Sequence, residues 1–133
     1  MTRTPVRSYA AGTAEGPALV LAGPLSFWGG VDPTTGRVID RSHPDLGACI
    51  TGTILVMSGG RGSSSSSSVL AESVRCGTGP AGVVLANPDP ILTVGALVAE
   101  SLYGIRCPIV VGPIDAIRTG VTIRIEDGWM ILA

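Results

Sequence analysis

Apolar residues in this chain come in short dense runs cut by glycine and proline, and in the first half that pattern predicts strands. Thr4–Ala11 and Ala18–Ala22 read as short strands, parted by a breaker at Gly16-Pro17. The segment PLSFWGGVDPTTGRVID, residues 24–40, predicts a long ordered loop with room for a short strand at Val38-Ile39. Thr51–Met57 (TGTILVM) is the clearest strand. Its nearly unbroken apolar run suits a strand covered on both faces.

After Met57 the pattern changes. SGGRGSSSSSSVLAESVRCG predicts a glycine-rich turn running into a helix of about three turns, with Val69, Leu70, Ser73 and Val74 on one face and Gly77 as its stop. Gly82–Ala86 reads as a strand. Asn87-Pro88-Asp89-Pro90 then opens a second helix, in which Asp89 suits the cap and Pro90 the first helical position. That helix runs to about Tyr103, and its spacing predicts burial of Ile91, Val94, Val98 and Leu102. Ile109–Val111 is a strand, Ile114–Ile117 a short helical turn, and Val121–Ile125 with Trp129–Leu132 a closing hairpin around Glu126-Asp127-Gly128. The whole predicts one mixed α/β domain, residues 1–133, with a partly rolled sheet and two main helices.

Composition sharpens this picture. Charged residues make up only 14 % of the 133, against a usual share of about 25 %. So neutral a surface is easier to understand if another protein covers part of it. The net charge is −1, all nine basic residues are Arg, and no basic stripe is present, which argues against nucleic acid. Without Lys, Schiff-base chemistry is excluded within the chain. Cys49, Cys76 and Cys107 are dispersed, with no CxxC pair, and read as reduced, buried thiols of a cytoplasmic protein; metal ligation by all three is the sharper alternative. No apolar run reaches the roughly 18 residues of a membrane span, and the N-terminus has no apolar core of a signal peptide.

The serine run, Ser63–Ser68, admits two readings. Six serines in a row commonly form a flexible linker. Here the run lies between an apolar strand and an amphipathic helix and follows Gly59-Gly60-Arg61-Gly62. A strand, glycine-rich turn and helix leave unpaired N–H groups at the helix start, which can take an anion. Arg61 adds a planar, permanently charged fork. A merely capped helix fits these residues equally well, and the absent Lys rules out a Walker loop.

Taken together, residues 24–40, His43-Pro44, SGGRGSSSS (58–66) and NPDPILTVGALVAE (87–100) resemble the aconitase X swivel-domain family over essentially the whole chain. The resemblance implies a swivelling β/β/α domain that closes over a larger catalytic subunit carrying an iron–sulfur cluster. It implies a hydro-lyase active only as the two-chain complex, acting on a small carboxylate substrate: cis-3-hydroxy-L-proline, towards which the sequence leans, or mevalonate 5-phosphate. In the wider superfamily a GxGSSRE loop carries the base on its first serine. Gly60-Arg61-Gly62-Ser63-Ser64 matches that loop as far as its second serine, which makes Ser63 the proton acceptor and Arg61, Gly62 and Ser64 substrate-binding candidates. Ser65 stands where the superfamily has a substrate-binding Arg, and Arg61 is its conjectural replacement. Ser66, Ser67 and Ser68 fall inside the helix and act at most as caps. No metal ligand is assigned to this chain.

Other residues have quieter readings. Phe27 and Trp28 serve either as a lid or contact, or as a capped sheet end. Asp32 suits an Asx-type turn, and His43, the one histidine, a surface or loop-fixing role in preference to a base. A non-catalytic anion-binding or scaffold domain is the alternative from another class. The loop Pro24–Asp32 is expected to meet the partner over more than about 1,000 Å².

Overall fold

The computed structural model describes residues 1–133, and its organisation follows from a sheet that is apolar on both faces. In chain order the strands are β1 (Thr2–Pro5), β2 (Arg7–Ala10), β3 (Ala14–Val20), β4 (Val31–Asp32), β5 (Arg37–Val38), β6 (Ile54–Met57), β7 (Gly82–Leu85), β8 (Ile109–Val111), β9 (Thr122–Glu126) and β10 (Trp129–Leu132). The helices are a single distorted turn α1 (Phe27–Gly30), α2 (Ser66–Cys76) and α3 (Pro90–Tyr103). Eight strands form one sheet in the order β1-β10-β9-β3-β6-β7-β8-β2, and β4 and β5 make a separate ribbon. The segment β3-β6-β7-β8 is parallel, with α2 and α3 as the crossovers from β6 to β7 and from β7 to β8, and the long excursion with α1, β4 and β5 joining β3 to β6; the remaining pairs are antiparallel.

β1 and β2 occupy opposite edges of the sheet and are separated in sequence only by Val6. The N-terminal segment expected as one strand therefore spans the gap and almost closes the sheet on itself. Gly16-Pro17, expected as a breaker, lies inside β3. There the strand changes partner: Ala14–Pro17 pair with β9 and Ala18–Val20 with β6. A Cβ on Gly16 would stand 2.6 Å from the Gly52 carbonyl oxygen, so glycine serves close approach of two backbones at this point. Thr51–Thr53 form a turn and the strand begins only at Ile54, because Gly52 at φ +69 bends the chain. Ile114–Ile117 closes a single turn by one backbone bond (Ile117 N–H to Ile114 C=O, 3.0 Å) and no helix.

The period-2 alternation of β6 feeds two cores. Ile54 and Val56 point into the rolled sheet with Val84, Val110, Ile123, Ile125 and Met130. Leu55 and Met57 point to the helices, among Val83, Leu85, Ile109, Leu70, Val74, Leu92 and Ala96. Burying each such side chain contributes roughly 1.5–3 kcal/mol relative to exposure.

α3 keeps its expected length but buries a different face: Leu92, Gly95, Ala96 and Ala99. Val94, Val98 and Leu102 face solvent, and Ile91 is half-buried. The cause is backbone proximity. A Cβ on Gly95 would come within 2.7 Å of the Ser67 carbonyl oxygen and 3.2 Å of Leu70 Cβ. α2 thus packs on the small-residue face of α3, and the larger side chains are turned outward.

Candidate active site

Two helix starts meet at one end of the parallel strands. α2 follows β6 through Ser58–Ser65, and α3 follows β7 through Asn87–Asp89. Between them lies a cleft of about 490 Å³, lined by Pro24, Leu25, residues 58–62, Ser66 and residues 87–92. Crevices outside the C-terminal ends of parallel strands are where open α/β sheets take their ligands.

Asp89 builds one wall. Its Oδ1 accepts the N–H groups of Ile91 (3.0 Å) and Leu92 (3.1 Å), the cap expected from the sequence. Its Oδ2 accepts the Gly60 N–H (2.9 Å), a bond the sequence reading missed. One carboxylate thus ties the start of α3 to the glycine loop. Gly60 is packed so closely on that carboxylate that a Cβ there would collide with Oδ2. Asn87 donates its Nδ2 to the Ser58 carbonyl (3.2 Å) and joins the two loops a second time.

The serine run is ordered structure. Ser63 C=O accepts the Ser66 N–H (3.0 Å), and Ser63 Oγ accepts the Ser65 N–H (3.1 Å). Helix α2 starts at Ser66, and the N–H groups of Gly62, Ser63 and Ser64 make no bond within the chain. Gly62 sits at φ +91, and a Cβ on it would stand 2.5 Å from Ser26 Oγ. The four predicted site residues are therefore contiguous in space, but they divide. Arg61 and Gly62 line the cleft, whereas half-buried Ser63 and exposed Ser64 lie outside its lining.

Arg61 is turned towards Asp40, with Nη2 3.7 Å from Oδ2, and its side chain is 59 % exposed. The pair is widely spaced and open to solvent, so the guanidinium is lightly held. The Ser42 hydroxyl and N–H hold the Asp40 carboxyl below the usual carboxylate range, with Arg61 a smaller contributor. Asp32 makes the expected Asx turn, accepting the Thr34 N–H (2.9 Å) and hydroxyl (2.7 Å), which lower its pKa likewise.

His43 is buried and fixes the loop. Its Nδ1 accepts the Asp45 N–H (3.0 Å), so the ring proton sits on Nε2 and is donated to the Gly23 carbonyl (3.0 Å). Asp45 Oδ2 in turn accepts the Ala22 N–H (2.7 Å), which latches residues 40–47 to the end of β3. Phe27 is wholly buried, whereas Trp28 is 59 % exposed. Ser66, expected to act at most as a cap, is buried and accepts the Trp28 N–H (3.0 Å).

The cysteines do not fit an iron–sulfur cluster. Cys49 and Cys76 are exposed, contrary to the buried reading of all three, and Cys107 alone is buried. Burial pushes the Cys107 thiol up to about 12. No three His, Cys, Asp or Glu side chains converge anywhere in the chain. No chemical step of this chain runs through a cluster of its own.

A family model described as the aconitase X swivel domain matches residues 3–132. The chain belongs to that family. The fold agrees: the aconitase X of Thermococcus kodakaraensis, a crystal structure of the holo-form, superposes with a TM-score of 0.91 at 31 % identity, covering 100 % of this swivel domain and 99 % of that chain. The cis-3-hydroxy-L-proline dehydratase of Pseudomonas aeruginosa is 50 % identical over 103 residues, which are 77 % of this swivel domain and 18 % of that enzyme. The matched residues thus cover less than a fifth of the length of such dehydratases. The phosphomevalonate dehydratase small subunit of Methanothermobacter thermautotrophicus is 45 % identical over 93 residues, 70 % of this chain and 71 % of that subunit. No helix of this swivel domain is long and apolar enough to cross a membrane.

Proposed function

We propose that the chain is the small subunit of an aconitase X-type dehydratase and supplies Ser63 as the base that removes the proton α to the substrate carboxylate. The observation that carries this reading is the bond from the Ser65 N–H to Ser63 Oγ (3.1 Å), at the start of α2. A donor aimed at the oxygen favours its deprotonated form, and the positive end of the helix adds to the effect. The unused N–H groups of Gly62, Ser63 and Ser64 are available to an anionic carboxylate. Lewis-acid chemistry on the leaving hydroxyl belongs to a cluster held by the large subunit. Ser63 lies outside the cleft lining of the free chain, so the pocket is completed by that partner. The exposed Trp28, Ile39 and Leu46, all on the excursion between β3 and β6, suit the contact, which includes Pro24–Asp32 and exceeds about 1,000 Å². Three free thiols suit a complex working in the reducing cytoplasm.

The favoured substrate is cis-3-hydroxy-L-proline. Arg61 is the one basic residue on the cleft and already faces Asp40, a poor provision for a phosphate dianion. Mevalonate 5-phosphate is the second reading, favoured by the small-subunit relatives of comparable length. The test is co-expression with the large subunit, followed by assay of both substrates and of exchange at the α-carbon in deuterated solvent. Ser63→Ala should leave the complex assembled and lower both turnover and exchange by a factor of about 10²–10⁴. Wild-type exchange in that variant refutes the role of Ser63, and two chains that elute separately at micromolar concentration refute the subunit reading.

A further inference from the structure

The hydroxyl of Ser66 belongs to a closed ring of three bonds beside the Ser63 turn. Trp28 N–H donates to Ser66 Oγ (3.0 Å), and the Ser26 hydroxyl donates to the Trp28 carbonyl (2.9 Å). Ser26 Oγ and Ser66 Oγ lie 3.4 Å apart. A carbonyl only accepts and a serine has one proton, so the Ser26 proton is committed to Trp28. The third bond, the longest of the three, must therefore be donated by Ser66. Each of the three residues gives one hydrogen bond and takes one, and the ring has a single consistent direction.

Two consequences follow. Ser66 takes the Trp28 N–H on its oxygen although it lines the cleft, and at 3 % exposure its hydroxyl is enclosed by these partners. The ring also bears directly on Gly62, whose Cα is so close to Ser26 that a Cβ would stand 2.5 Å from Ser26 Oγ and 2.9 Å from Ser26 Cβ. The backbone closes the same connection from the other side, through Ser66 N–H to Ser63 C=O (3.0 Å). Ser63 is thus held between Gly62, which rests on Ser26, and Ser66, which is bonded to Ser26 and Trp28.

We infer that Ser66 is a positioning residue: it fixes the Ser26–Trp28 segment against Gly62 and so presents Ser63 in one conformation. The inference rests on the reading of Ser63 as the base, and its test separates the two. Amide exchange of the Trp28 N–H in the free chain reads the ring directly, and kinetics of the two-subunit complex read its effect. Ser66→Ala should raise Trp28 exchange at least tenfold and lower kcat about 10- to 100-fold, with KM within about threefold, because a small displacement of the base acts on the reacting state and not on binding. Ser66→Thr keeps the hydroxyl and should recover both readouts in part. Ser26→Ala should leave the Trp28 N–H protected and lower kcat less. Unchanged kcat and unchanged Trp28 exchange in Ser66→Ala, beside a dead Ser63→Ala, overturn the positioning role and leave the base in place. A loss in Ser66→Ala that tracks global unfolding and is not recovered by threonine also overturns it. If instead Ser63→Ala turns over normally, the base assignment falls, while Trp28 exchange still reports whether the ring exists.

Discussion

Replacing Asp89 should loosen the site and the domain together, and its three bonds allow the magnitude to be worked out. Losing the two bonds at Oδ1 removes the cap of α3, which costs about 1 kcal/mol, within a range of about 0.5–2. Losing the third leaves the Gly60 N–H without its carboxylate partner, and bonds to a charged group are worth about 1.5–3 kcal/mol. Asp89 is half-buried, so the lower end of that range applies and water meets part of the loss. Asp89→Ala should therefore destabilise by about 2–3 kcal/mol. Asp89→Ser keeps a capping oxygen but cannot span to Gly60, so it should recover only the cap, about 1 kcal/mol. Asp89→Asn retains Oδ1 but turns an NH₂ group towards the Gly60 N–H, and it should lie between the two. The assay is urea unfolding of the free chain by circular dichroism, with the Gly60 amide followed by hydrogen exchange. If Asp89→Ala costs less than about 0.5 kcal/mol, or if serine restores full stability, the bridge to Gly60 contributes nothing and the reasoning fails.

Two further outcomes follow from the packing and the thiols. Gly95→Ala places a Cβ against the backbone carbonyl of Ser67 and should cost about 1–3 kcal/mol in unfolding free energy, whereas Val94→Ala on the exposed face should stay within about 0.5 kcal/mol; equal costs would mean that α2 does not rest on Gly95. In the native chain a thiol reagent should modify Cys49 and Cys76 but spare Cys107 until unfolding, with the Cys49 phase, removed by Cys49→Ser, having its pH midpoint below that of an ordinary thiol because the Thr51 hydroxyl and N–H lower its pKa. Simultaneous reaction of all three thiols would refute this.

The element order could be read from residues because local chemistry specifies it. Asp89-Pro90 is a cap followed by a first-turn proline, Gly77 takes the left-handed conformation that ends α2, and Asp127-Gly128 form the hairpin turn, both with positive φ. The misreadings share a different cause. Val94, Val98 and Leu102 occur at helical spacing, and periodicity assigns the apolar stripe to the core. The buried face was instead decided by how near α2 could come, which depends on Gly95, Ala96 and Ala99 having almost no side chain. Gly16-Pro17 is a breaker by propensity, yet it sits in β3 because that strand changes partner there and must pass the Gly52 backbone. Tertiary approach outweighed local preference in both places.

The same distinction applies to the site. Ser63 could be proposed from sequence because Gly60-Arg61-Gly62-Ser63-Ser64 resembles the superfamily's serine loop; the strand-to-helix turn by itself fits a merely capped helix equally well. The residues that hold it were invisible for a physical reason: Ser26 and Ser66 are 40 residues apart, and serine carries no charge, bulk or periodicity that announces a partner. Three observations that could have pointed to the ring lie in plain view only once the loop is placed: a glycine that cannot bear a Cβ, a buried serine, and a tryptophan left exposed beside a buried phenylalanine. A buried hydroxyl must find partners, and a backbone N–H in an irregular loop must find an acceptor. Here each satisfies the other. The ring is neutral and adds no charge beside the Ser63 oxygen, where backbone N–H groups and the start of α2 contribute to the field. That arrangement suits the proposed role of Ser63 as base in a chain with no Lys and with its one His locked in a loop.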